Sequence, residues 1–202
     1  MKPCKLLFLL ILLTAHLNTQ SQVWNREIID SISPNTGYYC DIAISTDDQP
    51  HISYMDFTLF DLKYAKKTNG KWEVTSVDTT GYTGGYSDIS ITQNNIPYIS
   101  CLRAKTLGGA LGHHYGLVGV FNYKGNWDRE YLDTTRQIIT NQYLPFYNQN
   151  SICTDLNGNP IICYTLFAND TIFISYKLNN EWVEDFYYDG ENHAGALMKL
   201  LN

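Results

Sequence analysis

The sequence predicts an all-β protein, a β-propeller whose blades are four-stranded antiparallel meanders, with about three complete blades and further partial ones. Three observations support this fold class. Four tryptophans recur in one local context, at intervals of 48, 55 and 55 residues. A pair of strands joined by a turn recurs between them, and no window has helical periodicity of useful length. Repeats of about 50 residues that each hold several short strands are typical of propeller blades.

The first element of the repeat is the tryptophan strand, labelled D, which is predicted to be the outermost strand of each blade. An aspartate follows the tryptophan after six residues in the first three copies and after seven in the fourth. The tryptophans are Trp24, Trp72, Trp127 and Trp182, and the aspartates are Asp30, Asp78, Asp133 and Asp189. We expect the tryptophans to occupy equivalent positions on successive outer strands.

The remaining elements are three strands, labelled A, B and C in chain order. Strands A and B are β-branched segments joined by a turn rich in Asn, Asp and Gly, and a proline opens strand B, where its missing N–H is tolerated. These prolines are Pro50, Pro97 and Pro160, and strand C follows at residues 62–66, 117–123 and 172–178. Asn69-Gly70 is a strong signal for the hairpin between C and D. We expect isoleucine and tryptophan columns to form the core between blades.

These elements give one repeat domain, residues 22–202, behind a leader at residues 1–21. Its predicted parts are a D strand at 22–31, units at about 32–80, 81–135 and 136–190, and a partial unit, a lone A strand, at 191–202. Strands B and C of a last blade are missing, so the ring is incomplete and apolar blade faces stay exposed. We expect either a fragment of a longer gene product, which the ending inside a strand pattern favours, or self-association through open blade edges.

The first 21 residues have the features of a cleaved signal peptide. Lys2 and Lys5 form a positive n-region, residues 6–13 are an unbroken apolar stretch, and residues 19–21 fit a small-residue cleavage site. The apolar stretch is far shorter than the roughly 20 residues needed to span a bilayer. We therefore expect a secreted protein that is not inserted in a membrane and whose mature chain begins at Gln22.

The charge balance disfavours nucleic acid as a partner. The chain has 14 basic and 20 acidic residues, and removal of Lys2 and Lys5 leaves 12 basic residues without any Lys/Arg cluster. A nucleic-acid partner needs a basic stripe that neutralises phosphates, and an anionic membrane surface needs the same feature. Both classes of partner are therefore disfavoured.

The four cysteines of the mature chain follow no metal-binding spacing such as C-x-x-C. They are Cys40, Cys101, Cys153 and Cys163. An exported protein could pair them as disulfides. The repeat alignment, however, places Cys153 in the column of Ala43 and Ser90, and Cys163 in the column of Ser53 and Ser100. Small, buried, unpaired cysteines are therefore favoured over disulfides.

The repeat resembles one found in a known class of proteins. The pattern D-I-A-I-x-x-D-x-x-P-H-I-S-Y at residues 41–54 is followed by L-K-Y-A and then by K-W-x-V-x-x-V-D at residues 71–78. This combination resembles the sialidase-like or BNR-like repeats of secreted bacterial β-propeller proteins, over about residues 23–198. The resemblance implies the fold but no particular activity, because the same ring hosts unrelated functions. The Asp-box motif S-x-D-x-G-x-x-W does not occur and no arginine triad stands out, so sialidase activity has no support.

Meander topology separates the connections onto two faces, with short A–B and C–D turns on one and longer B–C and D–A connections on the other. The connections of this second, long-loop face are predicted at residues 56–61, 103–116 and 166–170 and at residues 30–38, 78–86 and 133–150. Aromatic residues lie there beside Asp and Asn, as in sites that recognise sugars or peptides. We predict a secreted non-catalytic binding or surface module that contacts a glycan or protein through Tyr86, Arg103, His113 and Tyr147. The alternative that these rings only pack their own loops stays open.

The alternative function is a carbohydrate-active enzyme, either a glycosidase or a lyase. Asp41 and Asp88 recur at the entry to strand A and would lie near the ring channel, where paired carboxylates supply acid/base chemistry. Ser151 takes this position in the third unit, which weakens the enzyme hypothesis, and a repeated Asp beside a turn is also a common backbone cap. The adjacent His113 and His114 lack a third ligand. We therefore expect neither a metal nor a cofactor.

Overall fold

The computed structural model describes residues 23–106, 113–123, 125–132, 138–139, 150–166 and 171–188. Over these residues the protein consists of β-strands and their connections, without any helix. Accordingly, none of the described residues forms a helix long and apolar enough to cross a membrane. The predicted signal peptide, the predicted partial unit at 191–202 and the candidate site residue Tyr147 lie outside the described residues.

The strands form three antiparallel sheets, and each sheet contains a run of four neighbouring strands in chain order. The first sheet contains β1 (Thr36–Ile44), β2 (Pro50–Asp56), β3 (Asp61–Thr68) and β4 (Lys71–Asp78). The second contains β5 (Tyr82–Ile91), β6 (Pro97–Thr106), β7 (His113–Tyr123) and β8 (Trp127–Tyr131), and the short strand β9 (Ile138–Ile139) pairs with β7. The third contains β10 (Asn150–Thr154), β11 (Pro160–Leu166), β12 (Thr171–Leu178) and β13 (Glu181–Tyr188). The predicted all-β class and four-stranded meander are confirmed.

The hairpin turns follow the predicted turn chemistry. Asn69 and Gly70 have φ values of 51° and 77° between β3 and β4, and Asn179 and Asn180 have 52° and 67° between β12 and β13. Two-residue hairpin turns of the type that matches strand twist require positive φ at both central residues, which Asn and Gly tolerate. These residues therefore fix the register between β3 and β4 and between β12 and β13.

Two apolar clusters hold neighbouring sheets face to face. Between the first and second sheets they are Leu62, Tyr64, Ile89, Ile99, Cys101 and Phe121, and between the second and third sheets Tyr98, Val120, Leu132, Ile152, Ile162, Tyr164 and Phe173. In the predicted isoleucine column, Ile89 and Ile152 are 2% and 1% exposed, whereas Ile42 is 57% exposed. The Ile42 side chain is exposed because no described sheet packs against this face of the first sheet. The predicted isoleucine core is confirmed between the described sheets.

The tryptophans reach back toward the element that precedes their own sheet. Trp127 packs on the cluster between the first two sheets, and Trp182 packs on the cluster between the last two. The Trp72 indole N–H donates a hydrogen bond of 2.7 Å to the carboxylate of Glu27. Trp24 is largely exposed. The expectation of equivalent positions is wrong for Trp24, because no described element lies in front of it to receive its ring.

Residues 23–31, the described part of the D strand predicted at 22–31, form no strand in the structure. A strand needs a ladder of backbone hydrogen bonds to a neighbour, whereas this segment contacts the first sheet through side chains. Glu27 accepts hydrogen bonds from Lys67 at 2.6 Å and from Trp72 at 2.7 Å. The equivalent contacts in the third sheet are those of Glu130 with Lys177 and Trp182. The segment thus takes the place of a preceding D strand without pairing as one.

The connections of the predicted long-loop face are shorter than the sequence suggested. The β2–β3 connection is residues 57–60, and the β4–β5 connection is residues 79–81. β6 and β7 also occupy most of the predicted loop 103–116, because β6 continues to Thr106 and β7 begins at His113. Register shifts in β1 and β5, at the positive-φ residues Tyr39 and Tyr86, let these strands bend and pair again beyond the bulge.

The two ends of the sheets are therefore defined by their connections. The loop end carries residues 57–60 and 79–81 and corresponds to the predicted long-loop face. The turn end carries residues 45–49 and 69–70 and their counterparts in the other sheets. Most of the D–A connection at 133–150 lies outside the described residues.

None of the four cysteines of the described residues forms a disulfide bond. Cys101, Cys153 and Cys163 are buried, as predicted, whereas Cys40 is exposed. Burial raises the pKa of the Cys101 thiol to about 12, and it also raises the pKa of the other two buried thiols. These three side chains are therefore neutral core residues at neutral pH.

Candidate functional site

Six aromatic side chains form a continuous strip at the loop end, which we call the aromatic strip. Its members are Tyr38, Tyr39, Phe57, Phe60, Tyr82 and Tyr86. The ring centroids are 4.6 Å apart for Tyr86–Tyr39, 6.5 Å for Tyr39–Tyr38, 5.0 Å for Tyr38–Phe57, 5.3 Å for Phe57–Phe60 and 3.8 Å for Phe60–Tyr82. Rings at these separations are in contact, so the strip joins the first sheet to the second without a break.

Half of the aromatic strip faces solvent. Tyr38, Phe57 and Tyr82 are 48%, 42% and 38% exposed, whereas the other three rings are partly buried and support them. Leu59, in the same loop as Phe57, is also exposed. Contiguous apolar surface that stays in contact with water is typical of binding sites. The exposed rings are therefore the candidate contact surface.

One buried carboxylate holds the loop that presents Phe57. Oδ1 of Asp56 accepts hydrogen bonds from the backbone N–H groups of Thr58 at 2.9 Å and Leu59 at 3.2 Å, and from the Ser33 hydroxyl at 2.9 Å. Burial by itself would raise the pKa of Asp56, but these hydrogen bonds outweigh it and lower the pKa below its ordinary value. Asp56 is thus charged and fixes the loop conformation.

Three residues of the strip have a left-handed backbone conformation. The φ values are 50° for Tyr39, 59° for Phe60 and 52° for Tyr86. Such angles are uncommon for bulky side chains and cost on the order of 1–3 kcal/mol each. The carbonyls of Tyr39 and Tyr86 accept hydrogen bonds from the next sheet, from the Ser87 hydroxyl at 2.6 Å and the Asn150 amide at 2.9 Å. Neighbouring sheets therefore maintain a strained backbone under the strip, as is common at functional sites.

Beside the strip, two arginines converge on Thr80, and we call them the arginine pair. Arg103 donates to the Thr80 carbonyl at 2.8 Å and to its hydroxyl at 3.0 Å. Arg129 donates to the same hydroxyl at 2.9 Å and to Asp78 at 3.2 Å. Both guanidinium groups also lie against Tyr131, 5.2 Å and 5.1 Å from its ring centroid. Two cationic groups are thus held side by side at the loop end.

The four predicted site residues do not all lie at the loop end. Tyr86 belongs to the aromatic strip and Arg103 to the arginine pair, both at the loop end. His113 opens β7, where its backbone pairs with Thr106, so it lies in a strand and not in a loop. Tyr147 lies outside the described residues. Tyr86 and Arg103 are therefore the two predicted residues that the described loop end contains.

Sequence reasoning missed Phe57 and Phe60. They lie inside the connection predicted at residues 56–61, so their place on the long-loop face was implied but their role was not. Their contact with Tyr82 depends on the loop 57–60 reaching the start of β5, where the N–H of Thr83 donates to the Phe60 carbonyl at 3.0 Å. The only available signal was two aromatic residues in a short connection between two aspartates.

The aspartates considered as channel carboxylates join adjacent sheets. Asp41 accepts a hydrogen bond of 3.0 Å from the backbone N–H of Ile89. Asp88 accepts from the N–H of Ile152 and the hydroxyl of Ser151, both at 2.8 Å. Carboxylates engaged with backbone donors of the next sheet act as caps, so these contacts give the enzyme hypothesis no support. Among the residues that the structure describes, no group of three His, Cys, Asp or Glu side chains could hold a metal ion.

A depression with a volume of about 400 Å³ lies at the turn end. It is lined by Asp47, Gln49, His51, Lys66, Lys67, Thr68, Asn69, Gly70 and Asn95. His51 Nδ1 lies 2.5 Å from the Tyr64 hydroxyl, and burial lowers the pKa of His51, so its ring is neutral at neutral pH. The lining contains no Tyr, Phe or Trp ring. The loop end is therefore the better candidate for recognition by stacking.

Proteins similar to this chain are found among solved structures. No protein-family model matches the chain, and no curated protein matches it. Among solved structures, the chain is similar to a fucose lectin from Kordia zhangzhouensis in complex with methyl-fucoside, with a TM-score of 0.45 and 13% sequence identity. The alignment covers 74% of this chain and 99% of that one. A similarity at this level transfers no function, so function is inferred from the contacts described above.

Proposed function

We propose that the protein is a secreted, non-catalytic module that binds a glycan at the loop end through the aromatic strip. The observation that carries this proposal is the exposure of Tyr38, Phe57 and Tyr82 within one continuous strip. Sugar rings have apolar C–H faces that pack on aromatic rings, and hydroxyl groups that need hydrogen-bond partners. The strip supplies the rings, and the tyrosine hydroxyls and Arg103 supply polar groups beside them.

A glycan suits this surface better than a protein partner does. A stable protein interface covers roughly 800 Å² on each side, whereas the exposed apolar surface here consists of three partly exposed rings of the strip and the neighbouring Leu59. A short oligosaccharide needs a few well-placed contacts and no such area. A protein ligand is therefore the alternative outcome of the experiment below.

The proposal is tested by replacing exposed rings. Binding is first screened on a glycan array, and a bound glycan is then titrated against the wild type, Tyr38→Ala and Phe57→Ala. Each substitution should weaken binding about tenfold, because one stacking contact and its buried area are worth roughly 1.4 kcal/mol. Leu156→Ala is the matched control, since it removes an exposed apolar side chain from a turn at the other end of the third sheet.

The unfolding temperature of each variant shows whether the fold is retained. The proposal is contradicted if the wild type binds no glycan, or if both ring variants bind as tightly as the wild type. Capture of a protein in place of a glycan, with the same dependence on Tyr38 and Phe57, would support the protein-binding alternative.

We also propose that the three sheets are blades of a β-propeller whose ring these residues leave open. The supporting observations are that the sheets are consecutive meanders, that they pack face to face, and that Asp41 and Asp88 make the same contact at successive interfaces. Export through a cleaved signal peptide and self-association through the open faces belong to the same proposal.

A further inference from the structure

The arginine pair carries more positive charge than its described surroundings neutralise. Asp78 is the one carboxylate within ion-pair distance of either guanidinium group among the described residues, and it pairs with Arg129. The hydrogen bonds of Arg103 go to the carbonyl and hydroxyl of Thr80, which carry no net charge. A guanidinium group stays charged at any physiological pH, so the single negative charge of Asp78 offsets one of the two positive charges and leaves the other without a carboxylate partner among the described residues.

Arg103 also keeps unused hydrogen-bond donors. Its Nε and Nη2 atoms bond to Thr80, while its Nη1 group makes no hydrogen bond among the residues that the structure describes. The residue is partly exposed. A planar fork with free N–H groups is suited to binding both oxygens of a carboxylate or of a sulfate.

Arg103 departs from the repeat, which argues against a purely structural role. The pairing of Asp41 with Ser53 and of Asp88 with Ser100 makes Asp56 the residue of β2 equivalent to Arg103 in β6. Asp56 caps the loop 57–60 in the first sheet. In the second sheet this position carries the opposite charge, so its role there is specific to that sheet.

The arginine pair adjoins one end of the aromatic strip. The backbone of Tyr82, the last ring of the strip, pairs with Ala104, the residue after Arg103. Thr80, which both arginines contact, precedes Tyr82 by two residues. Resting on the proposed glycan binding, we infer that the bound glycan is acidic, and that Arg103, supported by Arg129, binds its carboxylate or sulfate group while the strip packs against its sugar rings.

The experiment compares acidic glycans with neutral counterparts of the same sugar sequence. The array carries uronic-acid oligosaccharides with their methyl esters, and sulfated oligosaccharides with their desulfated forms. The wild type should bind one acidic form about tenfold more tightly than its neutral counterpart, because a charge-assisted hydrogen bond is stronger than a neutral one. A preference for uronic-acid oligosaccharides over their methyl esters would indicate a carboxylate ligand. A preference for sulfated oligosaccharides over their desulfated forms would indicate a sulfate ligand.

Arg103→Gln should reduce the preference to less than about twofold by weakening binding of the acidic form most, since a Gln amide carries no charge. Arg103→Lys should keep part of the preference. Lys71→Gln is the matched control, because it removes one positive charge from an exposed position at the turn end. Tyr38→Ala should weaken the binding of acidic and neutral forms to the same extent.

The outcomes separate this inference from the proposed function. Equal binding of acidic and neutral forms, with binding still dependent on Tyr38, would overturn the inference and leave glycan binding in place. Equal loss of both forms in Arg103→Gln, together with a lower unfolding temperature, would show that Arg103 is a structural residue and would also overturn it. Failure of the wild type to bind any form on the array would reject both.

Discussion

Asp41 and Asp88 illustrate how single residues set the register between sheets. They occupy equivalent positions in β1 and β5, and each accepts a hydrogen bond from a backbone N–H in the first strand of the next sheet. Ser151 takes this position in β10 and donates its hydroxyl hydrogen to Asp88. Hydrogen bonds to a charged group are worth about 1.5–3 kcal/mol, and their loss leaves buried donors unpaired.

Replacing Asp88 should therefore lower the free energy of unfolding. Asp88→Ala is expected to lower the free energy of unfolding by about 3 kcal/mol, because the Ile152 N–H and the Ser151 hydroxyl lose their acceptor in a buried site. Asp128→Ala, at an exposed position in β8, should change it by less than about 0.5 kcal/mol. Urea denaturation of both variants measures the difference. Equal stabilities would show that the inter-sheet cap contributes little.

The repeat does not predict every side-chain contact of equivalent residues. Asp30 and Asp78 were predicted as equivalent, and each accepts a hydrogen bond of 3.0 Å from the backbone N–H two residues later. Tyr54 donates its hydroxyl hydrogen to the second oxygen of Asp30 at 3.0 Å. Cys101 occupies the position of Tyr54 in the second sheet, and Oδ2 of Asp78 is buried without a hydrogen bond among the described residues. Alignment of the repeats predicts equivalent backbone positions but not the loss of a partner side chain.

At the scale of strands and turns, much of the fold could be predicted because it depends on local chemistry. Strands β2, β6 and β11 begin at the predicted prolines, and the Asn69-Gly70 turn has the predicted geometry. The extent of the connections could not be predicted in the same way. The bulges at Tyr39 and Tyr86 are held by side chains of the next sheet, which no local pattern contains. The aromatic strip depends on these bulges, so its continuity is a property of the packed sheets.

The contact between sheets can be tested with two equivalent isoleucines. Ile152 is buried between the second and third sheets, whereas Ile42 occupies the same column on the open face of the first. Ile152→Ala should lower the free energy of unfolding by about 2–5 kcal/mol, the cost of a cavity in a packed core. Ile42→Ala should lower it by less than about 1 kcal/mol, because little buried surface is lost. Chemical denaturation checks both values, and similar losses would mean that the face of Ile42 is covered in solution.

At the scale of the whole molecule, the three sheets leave an apolar face open on each side. Ile42 and Ile44 are exposed on the first sheet, and Ile174 is exposed on the third. Strand pairing places Tyr64, Val120 and Ile174 in one column, and the next sheet buries the first two of them. The two open faces thus carry the same kinds of side chains that the chain buries at its own internal interfaces.

Because of these faces, the described sheets should associate with other copies when the chain is made alone. Burial of one isoleucine side chain is worth about 1.5–3 kcal/mol, and association would bury several of them. Sedimentation velocity over a range of protein concentrations should show reversible oligomers. The double variant Ile42→Lys, Ile174→Lys should raise the apparent dissociation constant at least about tenfold, since a charged side chain on either face would have to be desolvated.

The control must separate this effect from a general gain in solubility. Leu156→Lys adds a charge at an exposed apolar residue in the turn between β10 and β11, away from both sheet faces, and should leave the dissociation constant unchanged. A wild type that stays monomeric at every concentration would contradict the prediction, because its apolar faces would then be stable in water. If Leu156→Lys and the double variant weaken association equally, association depends on net charge and not on the sheet faces where Ile42 and Ile174 lie.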